Sequence, residues 1–241
     1  LAREIDRRDV LAQAHYRLGD LLRRQGENEE ALVQFVAAAQ VVETTREPMR
    51  DEDLKISLLG RWQQVYEALV LHCVALGRAA DAFEWAERAR ARAFADAVEG
   101  QEGGSALLQV GGATAADVHR QMPAHTAMLC YFTTGVLERD VPLLAAIPPG
   151  STLREHLVVA ARTLLFLVTP EQVQAVTCPL DPNAFASSSL RAEDRARWLT
   201  PPVLRKLHDT LLAPSGAALD AARNARRLLL IPHGPLHQVA F

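Results

Sequence analysis

The 241-residue chain has no apolar run approaching the ~20 residues that a bilayer span needs, which excludes a membrane-spanning helix. Nor does it open with the charged-then-apolar pattern of a signal peptide. Its three cysteines, Cys73, Cys130 and Cys178, are odd in number and far apart. That spacing excludes a disulfide framework and fits a reducing, cytoplasmic setting. Charge of one sign is missing too: 26 Lys and Arg stand against 29 Asp and Glu, a net charge of -3, with the signs interspersed. This leaves no electrostatic case for nucleic acid. Gly103-Gly104 and Gly111-Gly112 lack the lysine and the strand-to-helix context of a phosphate loop. The eight histidines are scattered. His233 and His237 are four apart, but Gly234 and Pro235 deny them a shared helical face, so no metal site and no cofactor is expected. What is present is ordinary for a globular protein: 49% apolar and 23% charged residues, on a length able to bury one large core or two modest ones.

The chain changes character near residue 100. Before it, helical periodicity dominates. Leu11, Ala14, Leu18, Leu21 and Leu22 share one helical face, as do Leu32, Phe35, Ala38 and Val42. Gly26 to Asn28 separates them, with Asn28 as the expected N-cap and Glu29 and Glu30 favourable to the first turn. A second pair follows. Leu58 (or Leu59), Trp62, Val65, Leu69, Cys73 and Leu76 form an apolar stripe, Gly77-Arg78 turns the chain, and Ala82, Ala86, Ala89 and Ala93 form a small-residue face. Between the pairs, Thr44 to Asp53 is polar and contains Pro48, as a loop would.

Gly100 to Gly112 holds five glycines and is taken as a boundary, giving a helical region over 1–99 and an α/β region over 100–241. Beyond it, a short helix is expected at Ala115 to Met122. Strands are expected at Thr126 to Thr134 and Val141 to Ile147, joined by a hairpin loop at Gly135 to Asp140. Leu153, Leu157, Ala160 (or Ala161), Leu164 and Leu167 suggest a helix capped by Ser151 or Thr152, and Thr177 to Ser189 an exposed loop. Helices near Pro202 to Leu212 and Ala217 to Ala222 lead to a terminal strand, Leu228 to Ile231. Four large aliphatics there fit a strand covered on both faces, as in a parallel sheet. That strand closes the sequence abruptly, and the chain opens at Leu1 without a Met, so it reads as an internal piece of a longer protein.

The first hairpin resembles a tetratricopeptide repeat, on Leu18-Gly19, Gly26, Ala31, Phe35 and Ala38. The physical reason is packing: Gly19 and Ala31 let two helices approach, and Phe35 fills the space beneath. His15 replaces the usual aromatic and no proline closes the unit. The second hairpin matches with Tyr66, Leu69, Gly77, Ala82 and Ala89, but Val70 replaces the glycine and Ala86 the aromatic. The turn glycines are 51 residues apart, against a period near ~34, so the repeats are degenerate with an insertion. The helix from Trp85 to Ala93 is similar to the last repeat helix before a CHAT domain, the caspase-like domain often fused to such repeats. Tyr131-Phe132, the strand at Val141, the helix from Leu153, Leu211 to Pro214 and Arg227 to His237 resemble the opening half of that domain. The resemblance implies a caspase-like cysteine endopeptidase, or an inactive relative, whose repeats bind a protein or peptide partner. In that family a thiolate attacks a peptide carbonyl and a histidine handles the proton. The resemblance places both residues downstream of Phe241, so none in this chain is expected to be catalytic. The competing reading is a non-catalytic interaction scaffold; a small-molecule enzyme has no motif in its favour.

His233-Gly234 imitates the catalytic His-Gly pair of caspase-like enzymes, but Pro232 and Pro235 to His237 fit the earlier family segment. The expectation is a turn at a strand end, with His237 packing or hydrogen-bonding. Cys73 and Cys130 read as packed thiols. Cys178, in the expected loop before Pro179, is the cysteine placed to react. The arginines from Glu87 to Arg92 read as a solvated face, with Glu84 able to pair with Arg88, rather than as a contact for an acidic partner.

Overall fold

The computed structural model describes residues 2–44, 52–99, 114–136, 158–183 and 200–238. The chain forms two compact units, Leu1–Gly112 and Ala113–Phe241. The first contains α1 (Ala2–Gln25), α2 (Asn28–Thr44), α3 (Glu52–Ala75) and α4 (Ala79–Glu99).

The two hairpins of this unit turn in the same way. Gly26 and Gly77 both take a left-handed backbone, φ 86° and 72°. Gly26 N–H donates to Arg23 O and Glu27 N–H to Leu22 O; Gly77 N–H donates to Val74 O and Arg78 N–H to Cys73 O. This is the paired closure that satisfies the last carbonyls of a helix when glycine follows it. The next helix starts at once, from Ala31 N–H to Glu27 O and from Ala82 N–H to Arg78 O. Glu27, rather than the expected Asn28, therefore occupies the cap position.

α1 packs on α2 through Ala12, Tyr16 and Gly19. This reverses the face read from the sequence: Leu11, Leu18 and Leu21 are 47%, 44% and 51% exposed, and Ala14 is exposed too. The close approach at Gly19 decides the orientation. A Cβ there would lie 2.9 Å from the ring of Phe35, so the aromatic occupies the space glycine leaves. On α2 the buried residues are Ala31, Phe35, Ala38, Ala39 and Val42, matching the expected face apart from Leu32, which is half-buried. Trp62, Val65, Leu69 and Cys73 of α3 are buried as expected. On α4, Ala82 and Ala86 are buried, but Phe83 supplies the bulk and Ala93 is exposed.

The second unit is a four-stranded mixed sheet with three helices among the described residues: α5 (Ala115–Gln121), β1 (Thr126–Thr134), β2 (Arg162–Val168), β3 (Val173–Cys178), α6 (Pro201–Leu211), α7 (Gly216–Asn224) and β4 (Arg227–Ile231). A short 3-10 helix, Gly234–Gln238, follows β4. The strand order is β3-β2-β1-β4. β1 pairs antiparallel with β2 and parallel with β4, with Leu129 opposite Leu167 on one side and Leu230 on the other. All nine residues of β1 are buried, as suits a central strand. Ala127, Leu129 and Tyr131 of β1, with Leu165 and Leu167 of β2, pack against Leu211, Ala218 and Leu236. Helix starts are set locally. Thr114 caps α5 by accepting from Asp117 N–H, Ser215 caps α7 by accepting from Ala218 N–H, and prolines open α6.

Three expectations are corrected here. Leu164 and Leu167 lie in strand β2, not in a helix, because the β-branched and aromatic content of Arg162–Val168 suits a strand buried on both faces. Thr177 and Cys178 end β3 rather than opening a loop. β4 is a strand parallel to β1, but it is not covered on both faces: Leu228 and Leu229 are 41% and 43% exposed, because β4 has a neighbour on one edge only among the described strands. The expected strand Val141 to Ile147 and the helix residues Leu153 and Leu157 lie outside the described residues.

Candidate functional site

Because β1 and β4 run parallel, their C-terminal ends lie side by side, the place where open α/β sheets receive ligands. His233 sits there, just past Pro232. Its Nδ1 accepts from the Thr133 backbone N–H at 3.1 Å and lies 2.9 Å from Thr133 Oγ1, and its ring stacks on Phe132 at 4.5 Å. An imidazole nitrogen that accepts from a backbone amide is unprotonated, so the neutral ring carries its proton on Nε2. Gly234 follows with φ 53°, and a Cβ on it would meet Thr133 Oγ1 at 2.5 Å. The His-Gly pair is thus held by its strand neighbour. Thr134 Oγ1 donates to Ala160 O at 2.7 Å and Asn183 Nδ2 to Gly135 O at 2.9 Å, tying down the same strand end. After this junction Leu236 is buried and His237 is exposed, so of the two roles read for His237, packing or hydrogen-bonding, it is packing that the structure sets aside.

The cysteines do not supply a nucleophile here. Cys130 lies inside β1 between Phe166 and Ile231, fully buried, where no substrate carbonyl reaches its sulfur. Cys178, expected to be the accessible thiol, is 3% exposed. Its Sγ–H points to Leu211 O at 3.6 Å, and burial pushes the thiol up to about 12. It ends β3, three strand positions from β4 in the sheet, roughly 14 Å at the usual strand spacing. Burial likewise pushes Cys73 up to about 12, and it raises Tyr131, whose hydroxyl donates to Leu211 O at 3.3 Å. These are thiols and a phenol of a packed core.

In the helical unit, Phe35 stands between Tyr16 and His72, with ring centroids 6.0 and 5.5 Å away. Buried His72 donates from Nε2 to Asn28 O at 2.8 Å, which joins α3 to the start of α2. Arg78 reaches the same turn and pairs with Glu29 at 2.7 Å. The arginines of α4 are not a simple solvated face. Arg88 lies 4.3 Å over Trp85 and 3.9 Å from Glu43, Arg92 lies 4.7 Å over Trp62, and Arg90 pairs with Glu87. Burial raises the Glu87 carboxyl above its usual range, against the pull of Arg90. Cation–π stacking therefore uses two cations that the sequence pattern assigns to solvent. The helix–helix contacts of this unit are legible from glycine and alanine positions. The leucine-rich outer face of α1 reads as core, and only the neighbouring Tyr16 and Gly19 signal otherwise.

Among the described residues, no group of three or more His, Cys, Asp or Glu is placed to hold a metal ion, and no helix is long and apolar enough to cross a membrane. No family model matches the chain, and no solved structure matches it. A stretch of 101 residues, 41% of the chain, is 40% identical to tetratricopeptide repeat protein 28 of Mus musculus. The match spans 4% of that protein's length.

Proposed function

We propose that the chain is a cytoplasmic protein-interaction unit whose helical hairpins bind a protein partner. The observation that carries this reading is the repeated hairpin. Two turns 51 residues apart share their glycine, their pair of closing hydrogen bonds and the alanine that starts the next helix. Similarity over part of the chain to a tetratricopeptide repeat protein supports the same reading. Stacked helical pairs present extended surface at little cost in loop entropy, which is how such arrays engage other proteins. The test is affinity capture with the 241-residue chain, followed by reconstitution of the complex from purified components. A stable complex whose crosslinks fall on residues 7–93 is expected. Failure of every captured protein to rebind in purified form would overturn the reading.

The arrangement of β1, β4 and His233-Gly234 favours a second, finer reading of the α/β unit as the opening half of a CHAT domain. The segment Arg227 to His237, on which that resemblance leans most, forms a strand parallel to β1 and the turn after it, with His233-Gly234 as part of that turn and not as the catalytic pair. On this reading the chain belongs to a caspase-like peptidase, or to an inactive relative, and has no hydrolytic activity alone. Incubation with fluorogenic peptide libraries should give no turnover above buffer; turnover abolished by Cys178→Ala would contradict it.

A further inference from the structure

We draw no further inference here: the strongest candidate, the exposed leucine edge that strand β4 presents at Leu228, Leu229 and Leu230, has a neighbour on one side only among the described strands, and nothing in the structure shows what covers the other.

Discussion

Gly19→Ala should destabilise the helical unit, although the same change in an exposed helix stabilises. Alanine is about 1 kcal/mol better than glycine in a helix interior. Here the new Cβ would lie 2.9 Å from both Cδ1 and Cε1 of Phe35 and 3.2 Å from Cγ. Carbon–carbon contacts are ordinarily about 3.5–4.0 Å, so the overlap is roughly 0.6 Å or more. Phe35 is buried between Tyr16 and His72, and a ring held from both sides cannot swing aside cheaply. Overpacking of this kind costs about 1–3 kcal/mol, which leaves a net loss of up to about 2 kcal/mol after the propensity gain. For a unit of this size the loss corresponds to a fall of up to roughly 10 °C in melting temperature. Thermal and urea unfolding followed by far-UV circular dichroism measures it. Phe35→Leu should be less harmful when combined with Gly19→Ala than alone, with a coupling of about 1 kcal/mol in the double-mutant cycle. A Gly19→Ala protein more stable than the parent, with additive behaviour toward Phe35→Leu, would refute the close approach.

Other perturbations read the remaining parts of the molecule. Cys73 and Cys178 are pushed up to about 12 from an ordinary 9.0, so the unfolded thiols ionise first. Between pH 9 and 12 the unfolded chain then holds fewer protons than the folded one, and this contribution to stability, complete below pH 9, is lost as pH rises. Iodoacetamide at about pH 8, near the ordinary thiol range, should label Cys178 in urea but not in buffer. Selective labelling of the native chain at Cys178 would contradict its burial. Gly234→Ala should cost about 1–3 kcal/mol in unfolding experiments, since the added Cβ meets Thr133 Oγ1 on a left-handed backbone. Glu29→Ala should change stability by less than about 1 kcal/mol, because its pair with Arg78 is largely exposed, and the difference should shrink in high salt.

Local signals carry much of this fold. Glycine marks both helical turns, and an unbroken buried run marks β1 at Thr126 to Thr134, matching the observed bounds. The prolines after Thr200 and the small residues after Ser215 mark α6 and α7 within one or two residues. Which face of α1 turns inward is not legible, because leucine count outvotes the two residues that matter. Gly19 admits Phe35, while Leu11 and Leu18 sit on the outside of that contact. Helical spacing of Leu164 and Leu167 misleads for a related reason: two leucines three apart fit a helix, but in β2 successive residues are buried on both faces, which erases any period. Cys178 reads as accessible because Pro179 and the serines after it signal a loop. That loop begins one strand end later, and Leu211, 33 residues on, closes over the sulfur. The tether of His233 to Thr133 spans 100 residues and follows from parallel strand pairing, which no local pattern encodes.

The most direct test of the account is hydrogen exchange on the full chain, alone and in complex with a reconstituted protein partner. Added protection on α1 to α4, with β1 to β4 unchanged, is the predicted result. Protection confined to the strand ends around Thr133 and His233, with the helical unit unaffected, would contradict it.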